Sequence, residues 1–274
     1  MTFQLQTPLK QNVVGVGVSA TSYEEVTATC RNWIAERRAG LSNNARYICV
    51  ASVHGIITAR DDQRVRSILN QADIVTPDGM PLVWALRSFG IKKQQRVYGP
   101  QLMLHLCKSA AEHGHRIFLY GGTRESLRDL RARLLSKFPS LVIAGQYSPP
   151  FRPLTGAETD YVREVIRESD ADLVFVGIST PKQEQWMHAN RDALPGVVMI
   201  GVGAAFDFHA GKVRQAPAWV QRNGFEWLFR LTMEPARLWR RYLLVTPRFL
   251  PLWALQRAGL LWQDPQPGAV TFDR

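Results

Sequence analysis

The sequence has little cysteine, no long apolar run and no clustered carboxylates, and each shortage excludes something. Cys30, Cys49 and Cys107 are the only cysteines in 274 residues, and no two form a CxxC pair. A structural zinc site or a disulfide framework is therefore not expected, and a reducing compartment is. No run reaches the ~18 apolar residues of a spanning helix. Met1 to Gln11 is polar and lacks the apolar segment of a signal peptide. The acidic pairs are badly placed for a cation: Asp61-Asp62 falls inside a helical run, and Asp170-x-Asp172 precedes its strand, at the end opposite to ligands. No metal is expected. Gly15-Val-Gly17-Val-Ser-Ala20 imitates a dinucleotide fingerprint, but its glycines lie inside a strand-like run instead of the turn after it. That argues against a nicotinamide- or flavin-dependent oxidoreductase, and no cofactor is expected.

What is present points to one sizeable core: 46% of residues are hydrophobic and 21% charged. The formal charge is +11, and much of it gathers late. Arg214, Arg222, Arg230, Arg237, Arg240, Arg241, Arg248 and Arg257 alternate with Trp219, Trp227, Trp239 and Trp253. A basic, tryptophan-rich end implies an anionic partner: a phosphate-bearing substrate, an anionic membrane or nucleic acid. No nucleic-acid-binding motif accompanies it, so nucleic acid is the least favoured of the three. Leu243, Leu244, Phe249, Leu250, Leu252, Leu255, Leu260, Leu261 and Trp262 continue the pattern, broken by Pro247 and Pro251. Such a segment suits lying in a membrane interface and not crossing it.

Strand-like runs alternate with helical ones up to about Val213. Strands are expected over 13–18, 47–52, 72–75, 116–120, 141–145, 172–176 and 197–202. Between them, Ser22-Tyr23-Glu24-Glu25 opens a helix to about Arg38, and further helices are expected over 56–70, 101–113, 123–138 and 158–168. This order predicts an α/β fold, a mostly parallel Rossmann-like sheet with helices on both faces. Residues 1–213 would form that domain and 214–274 a basic helical appendage associating with membranes.

In such folds ligands gather where strands give way to helices. Thr76-Pro77-Asp78-Gly79-Met80-Pro81 is such a junction; Asp78 there is either a helix N-cap or a site carboxylate. His54, directly after a strand, is a site candidate or a structural histidine. Thr180-Pro181-Lys182-Gln183 has the form of a capping box with proline at the first helical position, an anion site in outline. Gly121-Gly122-Thr123 and Gly201-x-Gly203 are two more glycine-bearing turns of that kind.

These segments occur in a particular order: Thr76 to Pro81, Arg96-Val-x-Gly99, Phe118 to Gly122, Val176-Gly-x-x-x-Pro181-Lys-Gln-Glu184-x-Trp186, and Gly201 to Phe208. Gln221-Arg-x-Gly-x-Glu226-Trp227 and Arg230-Leu-x-x-Glu-Pro235-x-Arg237-x-x-Arg240 follow. Together they resemble the WecG/TagA/CpsF glycosyltransferase family over roughly residues 13–243. The resemblance implies an inverting, metal-independent transfer from a UDP-sugar donor to a polyprenyl-diphosphate-linked acceptor, in bacterial cell-surface polysaccharide synthesis. It places the enzyme peripherally on the cytoplasmic face of the inner membrane and leaves homo-oligomerisation open. It assigns the base to Asp78 and a role in completing the site to Arg230, Arg237 and Arg240. Gly79, Arg96, Gly121, Gly122, Pro181, Lys182, Gln183, Gly203 and Asp207 match motif positions expected to bind substrate. The family's Thr-x-Asn is Val50-Ala51-Ser52 here, so Ser52 and His54 stand in its place. The transferred sugar does not follow from the resemblance.

Overall fold

The computed structural model describes residues 8–217, 219–220 and 223–261; Gln221, Arg222 and Trp262, singled out above, lie outside them, as do the first seven residues. The protein is α/β. Its elements run β1 Lys10–Val13, β2 Val16–Ser19, α1 Tyr23–Arg38, β3 Arg46–Ala51, α2 Val53–Asp61, α3 Gln63–Gln71, β4 Ile74–Pro77 and α4 Met80–Ser88. Then come α5 Gly99–His113, β5 Arg116–Gly121, α6 Arg124–Lys137, β6 Val142–Tyr147, α7 Gly156–Glu168, β7 Leu173–Gly177, α8 Lys182–Ala189, β8 Val198–Gly201 and α9 Ala205–His209. The main sheet has six strands in the order β4-β3-β8-β7-β5-β6, and β1 pairs with β2 apart from it.

The chain forms two compact units, passing between them after Ser22, within β3 after Cys49, after Tyr98 and after Arg214. The first comprises 23–49 and 99–214. Here the pairings β3–β8, β8–β7, β7–β5 and β5–β6 are all parallel. Fully buried Tyr47, Ile48, Phe118, Phe175, Ile200 and Phe206 fill its core. Continuous apolar strands such as Leu173-Val-Phe-Val176 require burial on both faces, and helices supply it. Asp172 anchors the strand starts. Its carboxylate, 2% exposed, meets Arg37 at 3.2 Å and Arg38 at 2.7 Å, and it accepts the Arg116 N–H at 2.8 Å. A buried carboxylate needs such partners, and this one is structural, at the end its sequence position implied.

The second unit takes 8–22, 50–98 and the described residues from 215 onward. Residues 13–18, expected as one strand, are the end of β1, a turn at Val14-Gly15 and most of β2. Val14 and Gly15 adopt φ of +53° and +92°, and Asn12 Oδ1 accepts the Gly15 N–H at 2.8 Å. This left-handed pair turns the chain back, so β2 runs antiparallel to β1. Gly15 and Gly17 thus belong to a hairpin and its strand, which removes the dinucleotide fingerprint.

The helix expected over 56–70 is two helices. Asp62 breaks it, its side chain accepting from the N–H groups of Arg64 and Val65 as the cap of α3. Asp61 is not simply solvated: both its carboxylate oxygens meet Arg248 at 2.7 Å.

The later part of this unit is helical: Glu226–Met233, Pro235–Trp239, a π-helical turn Arg240–Val245, a short 3₁₀ turn Thr246–Arg248 and a helix Phe249–Arg257. Gln256, 4% exposed, ties the last helix to the hairpin. Its Oε1 accepts the Val14 N–H at 2.8 Å and its Nε2 donates to the Asn12 carbonyl at 3.0 Å. Among the described residues no helix is long and apolar enough to cross a membrane.

Candidate active site

A small cavity of about 120 Å³ opens in the second unit, lined by the starts of α2 and α4, by Arg96 and Tyr98, and by the helices after 223. The strand–helix junctions that form it are set locally. The Asp78 N–H donates to the Ala51 carbonyl at 3.0 Å and the Val97 N–H to the Pro77 carbonyl at 3.0 Å. These two bonds fix Asp78 beside the end of β3 and bring Arg96 alongside.

Asp78 does not cap α4. Gly79 occupies the N-cap position with no side-chain cap, and Met80-Pro81 begins the helix. The carboxylate turns instead to Arg96, whose Nη2 donates to Oδ1 at 3.1 Å, while Nε donates to the Asp78 carbonyl. The remaining arm, Nη1, meets Glu226 at 2.8 Å, and the guanidinium lies over the Tyr98 ring, 4.1 Å from its centroid. Burial raises the Asp78 pKa above the usual carboxylate range; Arg96 opposes the rise and Glu226 adds to it. Burial opposes the Arg96 charge, but Asp78 and Glu226 hold its pKa above even the ordinary arginine value.

On the other wall, Ser52 caps α2. It accepts the Gly55 N–H at 3.3 Å and the Arg241 Nη2 at 3.1 Å. Burial, with Arg241 close by, pushes the His54 pKa down to about 4, so its imidazole is neutral at neutral pH. Burial also lowers Arg241, helped by the like charges of Arg230 and Arg237. Among the described residues, the buried His54 Nδ1, Arg241 Nε and Thr246 Oγ1 have no hydrogen-bond partner. Three unpaired polar atoms around one cavity are what a ligand with hydroxyl or phosphate oxygens would satisfy.

Of the sequence candidates, Ser52, His54, Asp78, Gly79, Arg96 and Arg230 line this cavity. Arg237 and Arg240 do not. The helix breaks at Glu234, with φ −135° and ψ 57°, so Arg230, Arg237 and Arg240 share no continuous helical face. Arg237 pairs with Glu234 at 2.8 Å, and Arg240 lies over Trp239, 5.3 Å from its centroid. Arg241 points inward instead, from a π-helical turn, a geometry that recurs at functional sites. Glu226, Tyr98, Arg241 and Thr246 were not foreseen as site residues, although Glu226 belongs to one of the quoted motifs.

Residues 11–262 match the glycosyl transferase WecG/TagA/CpsF family model. The chain belongs to that family. It is a glycosyltransferase. It is 32% identical over 208 residues to the N-acetylglucosaminyldiphosphoundecaprenol N-acetyl-beta-D-mannosaminyltransferase of Bacillus spizizenii, covering 76% of this chain and 78% of the relative. The Bacillus subtilis protein of the same name is 32% identical over 182 residues, covering 66% and 69%.

The other candidates of this glycosyltransferase gather in the first unit, after β5, β7 and β8. Gly121, at φ +132°, lies so close to the next strand that a Cβ there would sit 2.4 Å from the Gly177 carbonyl oxygen. The Gly122 N–H donates to that same oxygen at 3.3 Å. Gln183 is buried; its Oε1 accepts the Gly203 N–H at 3.0 Å and its Nε2 donates to Glu184 at 3.0 Å. The capping box expected at Thr180 is not formed: Pro181 is the N-cap, and the Thr180 hydroxyl donates to Glu184 Oε1 at 2.9 Å. Lys182 is exposed, and Asp207 accepts from the Ser126 hydroxyl at 3.2 Å. Tyr120 stacks on Trp186 at 4.3 Å between centroids, leaving an aromatic wall beside these turns.

Proposed function

We propose that this enzyme transfers a sugar, with inversion and without a metal, from a UDP-sugar to a polyprenyl-diphosphate-linked saccharide in bacterial surface-polysaccharide synthesis. The observation that carries the reading is the Asp78 carboxylate, shielded in the cavity and held by Arg96 rather than used as a helix cap. The acceptor hydroxyl attacks the anomeric carbon and Asp78 takes its proton. The bond from that carbon to the diphosphate oxygen breaks, and UDP leaves with the electron pair. A carboxylate that burial raises above its ordinary range is a stronger base than a solvent-exposed aspartate, which suits this step. The growing negative charge on the leaving group needs cations, and Arg230 and Arg241 stand in the cavity with His54 and Thr246 as neutral donors. Arg237 and Arg240 remain candidates for the lipid diphosphate.

A cavity of about 120 Å³ holds the reacting groups but not a whole nucleotide-sugar, since sites for drug-sized ligands run to roughly 300 Å³ and more. Within the first unit, Gly121, Gly122, Pro181, Lys182, Gln183, Gly203 and Asp207 are proposed as substrate-binding residues. The relatives' names put an N-acetylmannosaminyl donor and an N-acetylglucosaminyl diphospholipid acceptor first among substrates to try. Peripheral attachment at the cytoplasmic membrane face is proposed from exposed Trp219, Trp227, Leu228, Trp239, Leu243 and Leu244 beside exposed arginines.

The test is Asp78→Asn, assayed with a panel of UDP-sugars on a diphospholipid-linked N-acetylglucosamine acceptor and read by mass spectrometry. Turnover should fall about 100- to 10,000-fold, with UDP binding retained. A variant within a few-fold of the wild type would remove Asp78 from the mechanism.

A further inference from the structure

We propose that Glu226 is a positioning residue that acts on Asp78 through Arg96, holding one arm of the guanidinium so that Asp78 receives only part of its charge. The proposal rests on the reading of Asp78 as the base. It starts from a geometry that uses the whole guanidinium. Nε and Nη2 serve Asp78, Nη1 serves Glu226 at 2.8 Å, and the flat face rests on Tyr98. Both carboxylates are shielded, the side chains of Asp78 and Glu226 being 21% and 11% exposed, and Arg96 itself is 17% exposed. One cation is thus shared between two acids in a place where solvent screens little.

The consequence is chemical. An aspartate in sole possession of an arginine is a stable ion pair and a poor base, because the cation opposes its protonation. Glu226 works in the other direction: it draws Arg96 partly away and adds a negative charge of its own. Other groups also face Asp78. Arg230 comes from the same helix as Glu226, Arg241 from the π-helical turn, His54 from the start of α2, and Tyr98 from the irregular segment just before α5. His54 is uncharged at neutral pH, and burial, with Glu226 adding to it, raises Tyr98 so that it too is uncharged. The charged set is therefore Arg96, Arg230 and Arg241 against Asp78 and Glu226. Removing the Glu226 charge leaves three arginines around one carboxylate.

The sign follows. Asp78 must be ionised to accept a proton, so activity rises as pH climbs through its titration, and Glu226 sets that rise at a higher pH. In Glu226→Gln the Asp78 midpoint should fall by about one pH unit, the size of effect a close charge exerts. The acid limb of kcat/KM should move down with it. Plateau kcat should drop about tenfold, because a weaker base transfers the proton less readily, with donor KM within twofold of wild type. The midpoint is read directly on the full-length protein as the Asp78 carboxyl carbon in 13C NMR, identified by its loss in Asp78→Asn. Glu226→Asp keeps the charge but withdraws it by one methylene, and should move both midpoints the same way by less. An Asp78 midpoint that stays put or rises in Glu226→Gln overturns the proposal, since a merely tethering side chain would lower stability without moving it. Should that variant not fold, an unmoved midpoint in Glu226→Asp has the same force. If Asp78→Asn turns over normally, the base assignment fails instead, whatever the NMR titration shows.

Discussion

Replacing Gln256 with alanine should loosen the C-terminal helices from the hairpin, and the structure gives the size of the effect. The Gln256 side chain pairs with the Val14 N–H at 2.8 Å and the Asn12 carbonyl at 3.0 Å, at residues 0% and 6% exposed. The Asn12 carbonyl keeps a second donor, the Gln11 Nε2 at 3.2 Å, so the group left without a partner is the Val14 N–H, at a cost of about 1–3 kcal/mol. One lost methylene adds roughly 0.8 kcal/mol, and the freed rotamers return up to about 2 kcal/mol. The net loss is about 1–3 kcal/mol by these terms. In a chain this long, 1 kcal/mol lowers Tm by roughly 2–4 °C, so the transition should fall by about 2–12 °C in calorimetry. Limited trypsin digestion should at the same time expose cleavage after Arg248 and Arg257. Gln256→Glu separates causes. It nearly keeps the shape and can still accept from Val14, but a carboxylate faces the Asn12 carbonyl, so it should cost at least as much as alanine. A drop under 2 °C in Gln256→Ala, or a mild Gln256→Glu, would show that these two hydrogen bonds do not hold the helix.

Turnover should survive EDTA and gain little from added magnesium or manganese, because Asp61, Asp62 and Asp172 are engaged by Arg248, a helix cap, and Arg37 with Arg38; a strict requirement restored by magnesium would refute the electrostatic account. Vesicle sedimentation should show binding that rises with anionic lipid and weakens with salt. Leu243→Ser with Leu244→Ser, both more than half exposed, should reduce it sharply without lowering Tm, whereas unchanged partitioning would mean that these side chains do not meet the bilayer.

Much of the fold was legible because period and punctuation agreed. The first unit's parallel strands read as continuous apolar runs, and Thr123 caps its helix where expected. The failures have physical causes. Val14-Gly15 looks like strand because valine favours it, but a positive φ at both residues makes a turn that residue type alone does not announce at valine. At 56–70 the apolar period runs through Asp62, and only the cap geometry shows two helices. Asp78, Arg96 and Arg230, which line the cavity, could be singled out from the sequence because they lie in ordered motifs. Arg241 and Thr246 were missed because a break at Glu234 and a π-helical turn reset the helical phase, so spacing no longer predicts which arginine faces inward.

That reset also bears on how the site is assembled. Asp78 and Arg96 come from the 50–98 segment, whereas Glu226, Arg230, Arg241 and Thr246 come from a part of the chain more than a hundred residues later. No local element could make the cavity. It exists only when the late helices dock, and their docking rests on a few polar locks: Gln256 on the hairpin, Arg248 on Asp61, and the Trp253 indole on the Ser88 hydroxyl at 3.1 Å. Arg248 and Asp61 are each about half exposed, so that pair contributes under about 1 kcal/mol, and most of the holding falls to the buried glutamine and the apolar contacts around Phe249. Trp253 and Phe249 are thereby committed to the protein itself. Leu243 and Leu244, the side chains proposed above to meet the bilayer, are exposed on the π-helical turn that carries Arg241 into the cavity, so membrane attachment through them and completion of the site would draw on one structural element.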